Sequence, residues 1–255
     1  MNVPDVSLER NGAVALITID NPEARNGLTP ELAERLVDAC EEIDADPALG
    51  AAVVRGAGGT FCSGADTRTW SAEIDWAGDE GYELLSAVYR GFQRVGTLSV
   101  PTIAAVRGAA VGAGLNLMLA CDARVVASDA RLLAGFLRIG LHPGGGFFSL
   151  LGRTAGRETA AVLGLFGEEL SGEEAAARGL AWEAITAGSV EARALELAAT
   201  AARDPLLSRR VIASLRAEVG PPALPWGAAL EMERGVQTWS MRRRFAGTRT
   251  SGPSG

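Results

Sequence analysis

The chain has 255 residues, a net charge of −7, and 47% hydrophobic but only 5% aromatic residues. That length suits one substantial core, and the composition excludes disorder and collagen-like repeats. The acidic balance argues against nucleic-acid binding, and the absence of any lysine excludes Schiff-base chemistry and lysine general bases. Cys40, Cys62 and Cys121 are odd in number and lack disulfide or metal spacing, so they read as reduced thiols of a cytoplasmic protein without a metal site. The N-terminus has no signal-peptide pattern, and no apolar run reaches a membrane-spanning length of about 18 residues, which predicts no membrane insertion.

Alternating apolar positions over residues 13–19, bounded by Gly12 and Asn21-Pro22, predict a strand ending in a turn. Thr29 as cap and Pro30 at the first position open a helix through about residue 44, with Leu32, Leu36, Val37 and Ile43 on one side. Residues 51–54 read as a buried strand, 81–95 as a helix, 102–106 as another buried strand and 115–120 as a helix. Strands alternating with helices predict right-handed crossovers and a parallel sheet, an α/β fold. From about residue 158 the pattern is helical, over 173–179, 190–203, 205–219 and 224–244, and the small polar residues 246–255 read as a mobile tail.

Two glycine loops carry the chemistry. The first is Gly59-Thr60-Phe61-Cys62-Ser63-Gly64-Ala65-Asp66; the second holds Gly108 and Gly112-Ala113-Gly114-Leu115-Asn116. Each lies between a strand and a helix, where glycine lets backbone N–H groups approach a ligand and two such donors can form an oxyanion hole. Both loops, in order and spacing, resemble the enoyl-CoA hydratase/isomerase (crotonase) family, a resemblance that covers roughly residues 12–245. It implies a crotonase-like ββα spiral over residues 1–190 and a C-terminal helical trimerisation region over 191–245, ahead of the 246–255 tail. It also implies a homotrimer or dimer of trimers, and a coenzyme A thioester as substrate or ligand with no further cofactor.

By the same resemblance the oxyanion donors are the backbone N–H groups of Ser63 and Ala113. The turn from Asn21 to Leu28 is similar to the family's coenzyme A turn, so Ala24, Arg25, Leu28, Ala65 and Asp66 are expected to line the ligand. Arg25 reads equally as a phosphate partner or as a solvated arginine. Gly112, Trp70, Phe136 and Leu141 complete the expected acyl pocket, with Phe136 and Trp70 making it drier.

The chain departs from the family where hydratases carry two glutamates: the corresponding residues are Asn116 and Phe136, the latter seven positions before Pro143-Gly144. Neither shuttles a proton near neutral pH, and acid–base groups contribute roughly a hundredfold to ten-thousandfold each, so the sequence argues against ordinary hydration. The isomerase aspartate expected after that proline is Gly144. Catalytic candidates are Asn116, His142 and Asp66, with Arg68, Glu80 and Arg138 more distant. His142, the sole histidine, reads as a base or as a ring tied to backbone beside Pro143. Ser63 with His142 and Asp66 or Asp122 lacks a nucleophile elbow, and the Gly112–Gly114 loop lacks the third glycine of a dinucleotide site. Arg242, Arg243 and Arg244 read as a solvated helix end or as contacts to a neighbouring subunit's ligand phosphate. The expected function is stabilisation of a thioester enolate, in decarboxylation or retro-aldol cleavage; the alternative is a non-catalytic acyl-CoA carrier or sensor.

Overall fold

The computed structural model describes residues 4–70, 74 and 79–220. The helix expected over residues 224–244, the Arg242–Arg244 run and the 246–255 tail lie outside the described residues.

Strand β1 (Asp5–Asn11) turns at Gly12, whose φ of 61° suits a tight hairpin, into β2 (Val14–Asp20). Helix α1 (Pro30–Ala45) starts where Thr29 accepts the Leu32 N–H at 3.2 Å, and buries Leu32, Leu36 and Ile43. Then come β3 (Ala51–Gly56), α2 (Asp79–Gly96), β4 (Thr102–Val106), β5 (Ala109–Val111), α3 (Ala113–Ala120), β6 (Ala123–Ala127) and β7 (Arg131–Leu133). After these follow α4 (Phe147–Leu165), broken at Gly156, and β8 (Glu169–Ser171). Helix α5 (Gly172–Ala177) carries a Ser171/Glu174 capping box and precedes β9 (Glu183–Ile185), α6 (Val190–Ala202) and α7 (Pro205–Val219).

The strands form two sheets, of order β1-β2-β3-β4-β6-β9 and β5-β7-β8. The large sheet is parallel except at β1, and β7 pairs antiparallel with β8, so the expected parallel sheet is corrected to a mixed pair of sheets. The chain alternates between them: β4 then β5, β6 then β7, and back from β8 to β9. Isolated bridges Cys62 to Ala110 and Leu28 to Ala65 extend the smaller layer through the first glycine loop. These crossings make the expected ββα spiral and place the two loops on adjacent rungs.

Continuous apolar strands fill the core: Ile17, Val53, Val54, Ala104, Val125 and Val126 are fully buried. The helical reading beyond residue 158 is corrected, because α4 starts at Phe147 and the short strands β8 and β9 interrupt the helices. Helix α6 lies across β2, β3, β4 and β6, so the sheet layer continues past residue 190. Helix α7 is tied down by Arg209, which binds the Ile43 and Asp46 carbonyls, and by Arg216, which pairs with Asp122. No described helix is long and apolar enough to cross a membrane.

Candidate active site

The turn before α1 anchors the site. Arg25 and Asn26 both adopt left-handed backbone, at φ 52° and 59°, a costly arrangement for two non-glycine residues. Asn26, fully buried, offsets that cost: Oδ1 accepts the Asn21 N–H at 2.9 Å, and Nδ2 donates to the Ala57 and Thr60 carbonyls at 2.8 and 2.6 Å. One amide thus ties the turn to the start of the first glycine loop.

The loop's own N–H groups decide what it can bind. Cys62 donates to Ala109, Ser63 to the Arg25 carbonyl at 3.1 Å, and Asp66 to Leu28 at 2.8 Å. Gly64 and Ala65 keep their N–H groups, and of the two only Ala65 lines a cavity. The N–H expected as a donor at Ser63 is thus taken by the turn, to which Ser63 is committed twice, its Oγ donating to the Ala24 carbonyl at 2.7 Å, whereas the Ala65 N–H is left at the cavity. Leu28 is likewise corrected from ligand contact to core, 1% exposed, with its backbone clamping Gly64 and Asp66.

The second loop packs against the first without a gap. A Cβ on Gly64 would stand 3.6 Å from the Ala113 nitrogen, and one on Gly114 would stand 2.2 Å from the Cys62 carbonyl oxygen. Ala113 opens α3, so its N–H has no intrahelical acceptor, and no other backbone carbonyl takes it.

The cavity of about 470 Å³ is lined by Ala65, by apolar Trp70, Leu85, Val88, Phe136 and Leu141, and by Tyr89, Asn116, His142 and Gly144. Phe136 sits edge-on to Phe147, ring centres 5.4 Å apart, and its ring lies 3.7 Å from where a Gly112 Cβ would be. Ala24, Arg25, Asp66, Gly112 and Ala113 do not line it. A larger cleft of about 670 Å³, bordered by Val37, Arg90, Gln93 and Arg94, is lined by none of Gly64, Ala65 and Ala113.

Asn116 is 1% exposed and donates Nδ2 to the Gly144 carbonyl at 2.9 Å. Its Oδ1 is buried without any partner. The carbonyl requires the NH₂ on its side, so the amide orientation is fixed and Oδ1 is the unmatched atom. His142 Nδ1 lies 2.7 Å from the Pro143 carbonyl oxygen; that oxygen only accepts, so Nδ1 carries the proton and Nε2 keeps its lone pair when the ring is neutral. Both sequence readings of this residue survive, because the backbone bond sets the tautomer of a base.

Asp66 is corrected as a catalytic candidate. Its oxygens take Arg68 Nε at 2.9 Å and Nη2 at 2.7 Å, and the guanidinium holds the carboxyl below its ordinary range. Arg68 thereby serves Asp66. Arg138 donates to Gly167 at 2.6 Å, Glu80 is exposed at the start of α2, and neither lines the cavity. Cys62 is fully buried, which pushes its thiol up to about 12 and removes it as a nucleophile. Among the described residues no group of three or more His, Cys, Asp or Glu could hold a metal ion.

Tyr89 went unnoticed in the sequence. It lines the cavity, no described residue hydrogen-bonds its hydroxyl, and a Cβ on Gly144 would stand 2.2 Å from that oxygen. The signal was its position on the inward face of α2, with Leu85, Val88 and Phe92 at helical spacing.

Comparison with known proteins agrees with this layout. The family model described as enoyl-CoA hydratase/isomerase matches residues 9–247. A probable enoyl-CoA hydratase of Mycobacterium tuberculosis is 42% identical over 218 residues, 86% of this chain and 82% of the relative. A second Mycobacterium tuberculosis protein, named enoyl-CoA hydratase, is 32% identical over 218 residues, 84% of this chain and 80% of the relative. The crystal structure of an enoyl-CoA hydratase from Polaromonas sp. aligns with a TM-score of 0.82 at 27% identity, over 95% of this chain and 94% of that one.

Proposed function

The chain belongs to the enoyl-CoA hydratase/isomerase family, and we propose that it binds a coenzyme A thioester and cleaves a bond at the acyl α-carbon through an enolate. The observation that carries this reading is the pair of uncommitted N–H groups, Ala65 and Ala113, on touching loops. Each such donor is worth on the order of 10²- to 10³-fold in rate when it meets developing oxyanion charge.

The lining argues against hydration. Among the described residues it contains no carboxylate, and Asn116 and Phe136 stand where the two hydratase glutamates were expected. Adding water needs a proton taken and a proton given. Breaking a bond to the α-carbon needs chiefly a sink for the electron pair. In decarboxylation of a malonyl-type thioester, the bond to the carboxylate breaks, its pair enters the thioester as an enolate, carbon dioxide leaves, and the α-carbon takes up a proton. In retro-aldol cleavage, His142 Nε2 accepts the β-hydroxyl proton, the α–β bond breaks into the enolate, an aldehyde leaves, and the imidazolium returns the proton to the α-carbon. The exposed apolar side chains Leu206, Val211, Leu215 and Val219 of α7 support self-association, as a homotrimer or dimer of trimers.

The test is mass spectrometry of the protein incubated with enoyl-, malonyl- and 3-hydroxyacyl-CoA thioesters. Loss of carbon dioxide or of an aldehyde fragment, with no gain of 18 mass units on crotonyl-CoA above a protein-free control, is the expected outcome. Rapid hydration of crotonyl-CoA would overturn the proposal, and binding without any product would favour the carrier or sensor.

A further inference from the structure

The polar groups of the cavity are few and unusually placed. Asn116 Oδ1 is a buried acceptor with no partner, which leaves a desolvated atom that a ligand donor can satisfy. Tyr89 supplies a hydroxyl that lines the same cavity and has no hydrogen-bond partner among the described residues. It reaches the cavity only because residue 144 is glycine: any side chain there would collide with the phenol, its Cβ standing 2.2 Å from the hydroxyl oxygen. Gly144 is also the residue whose carbonyl holds Asn116 Nδ2 at 2.9 Å. The phenol and the amide therefore meet at one backbone position, and the remaining wall is mostly apolar.

The position along the substrate follows from α3. Asn116 lies three residues after Ala113, on the same face one turn on, an axial rise of about 4.5 Å. If the Ala113 N–H holds the thioester oxygen, Asn116 serves atoms one or two bonds beyond that carbonyl. An unsubstituted chain would leave Oδ1 unpaired. A malonyl carboxylate, which only accepts, would face it with like polarity. A hydroxyl can accept from Tyr89 while its single proton is donated to Asn116 in the bound ground state, and that proton turns to His142 Nε2, on the same cavity wall, when the bond breaks.

Resting on the enolate reading above, we propose that Tyr89 is a specificity-determining residue, whose hydroxyl pairs with Asn116 Oδ1 to recognise a hydroxyl on the β-carbon of the acyl thioester. This selects the retro-aldol branch over decarboxylation.

The test is calorimetric binding of butyryl-CoA, 3-hydroxybutyryl-CoA and malonyl-CoA at 4 °C, with mass spectrometry confirming that each ligand stays intact. The wild-type protein should bind 3-hydroxybutyryl-CoA about tenfold more tightly than butyryl-CoA. Tyr89→Phe, which removes one oxygen from a half-buried ring, should narrow that margin about three- to tenfold and leave butyryl-CoA within about twofold. Gly144→Ala, which displaces the phenol from the opposite side, should narrow it similarly. Equal affinity of the wild type for the two chains, malonyl-CoA as the tightest ligand, or an equal loss for both chains in Tyr89→Phe would each overturn the proposal while the enolate reading stands. Failure of every thioester to bind would overturn both.

Discussion

Replacing Ala113 with proline removes one N–H and tests whether that N–H is used. The residue is the first of α3, where proline is favoured because its nitrogen needs no helical acceptor. Its N–H gives no bond to any backbone carbonyl, and the preceding Gly112, at φ 53° and ψ −115°, has no Cβ to clash with the proline ring. The folded state should therefore change by less than about 1 kcal/mol. The transition state should lose one of two donors, about 3 kcal/mol, so that kcat falls on the order of 10²- to 10³-fold with KM nearly unchanged. Thermal melts establish folding, and single-turnover cleavage of the substrate found in the thioester panel establishes kcat. A folded variant whose kcat lies within threefold of wild type would refute the oxyanion assignment. A fall in affinity matching the fall in rate would assign the N–H to ground-state binding instead.

Gly114→Ala places a Cβ 2.2 Å from the Cys62 carbonyl oxygen; the two loops must part, and urea denaturation should show a loss of about 3 kcal/mol, the upper end of what overpacking costs. A loss under 1 kcal/mol would mean that the loops yield freely. Asp66 has a carboxyl depressed by Arg68, so its contribution is full above the ordinary carboxylate pKa of about 4 and is lost as pH falls through the lower folded value. Asp66→Asn should thus be less stable than wild type at pH 6, and the difference should close as pH drops below about 4. A difference independent of pH would discredit the ion pair. Burial pushes the thiols of Cys40, Cys62 and Cys121 up to about 12, so a thiol-disulfide reagent at pH 8 should find no reactive thiol in the native chain and all three after unfolding. Rapid native labelling of Cys62 would show the first loop opening.

The legible parts of the fold are those whose signal is local. Strands β3 and β4 read correctly because both faces are buried and the apolar runs are continuous, β2 from its apolar positions over residues 13–19, and α7 matched its expected 205–219, with Asp204 capping it and Pro205 at its first position. Strands β5, β7, β8 and β9 have three residues each, too few to show a period. Their existence depends on pairing with partners 20 or more residues away, as Ala109 pairs with Arg131.

The site divides along the same line. That two glycine loops carry backbone donors was written in residues 59–66 and 108–116. Which N–H remains free was not, because Ser63 loses its own to Arg25, 38 positions earlier, through a turn held in left-handed backbone by Asn26. Tyr89 was invisible for a related reason: on an apolar helix face a phenol reads as packing until the neighbour across the cavity proves to be a glycine. Gly144 in turn reads as a missing aspartate in the sequence, while in the structure its missing side chain is the opening through which α2 delivers a hydroxyl. The cavity's polar set therefore combines Asn116, at one expected glutamate position, with a hydroxyl brought to the same volume from another helix.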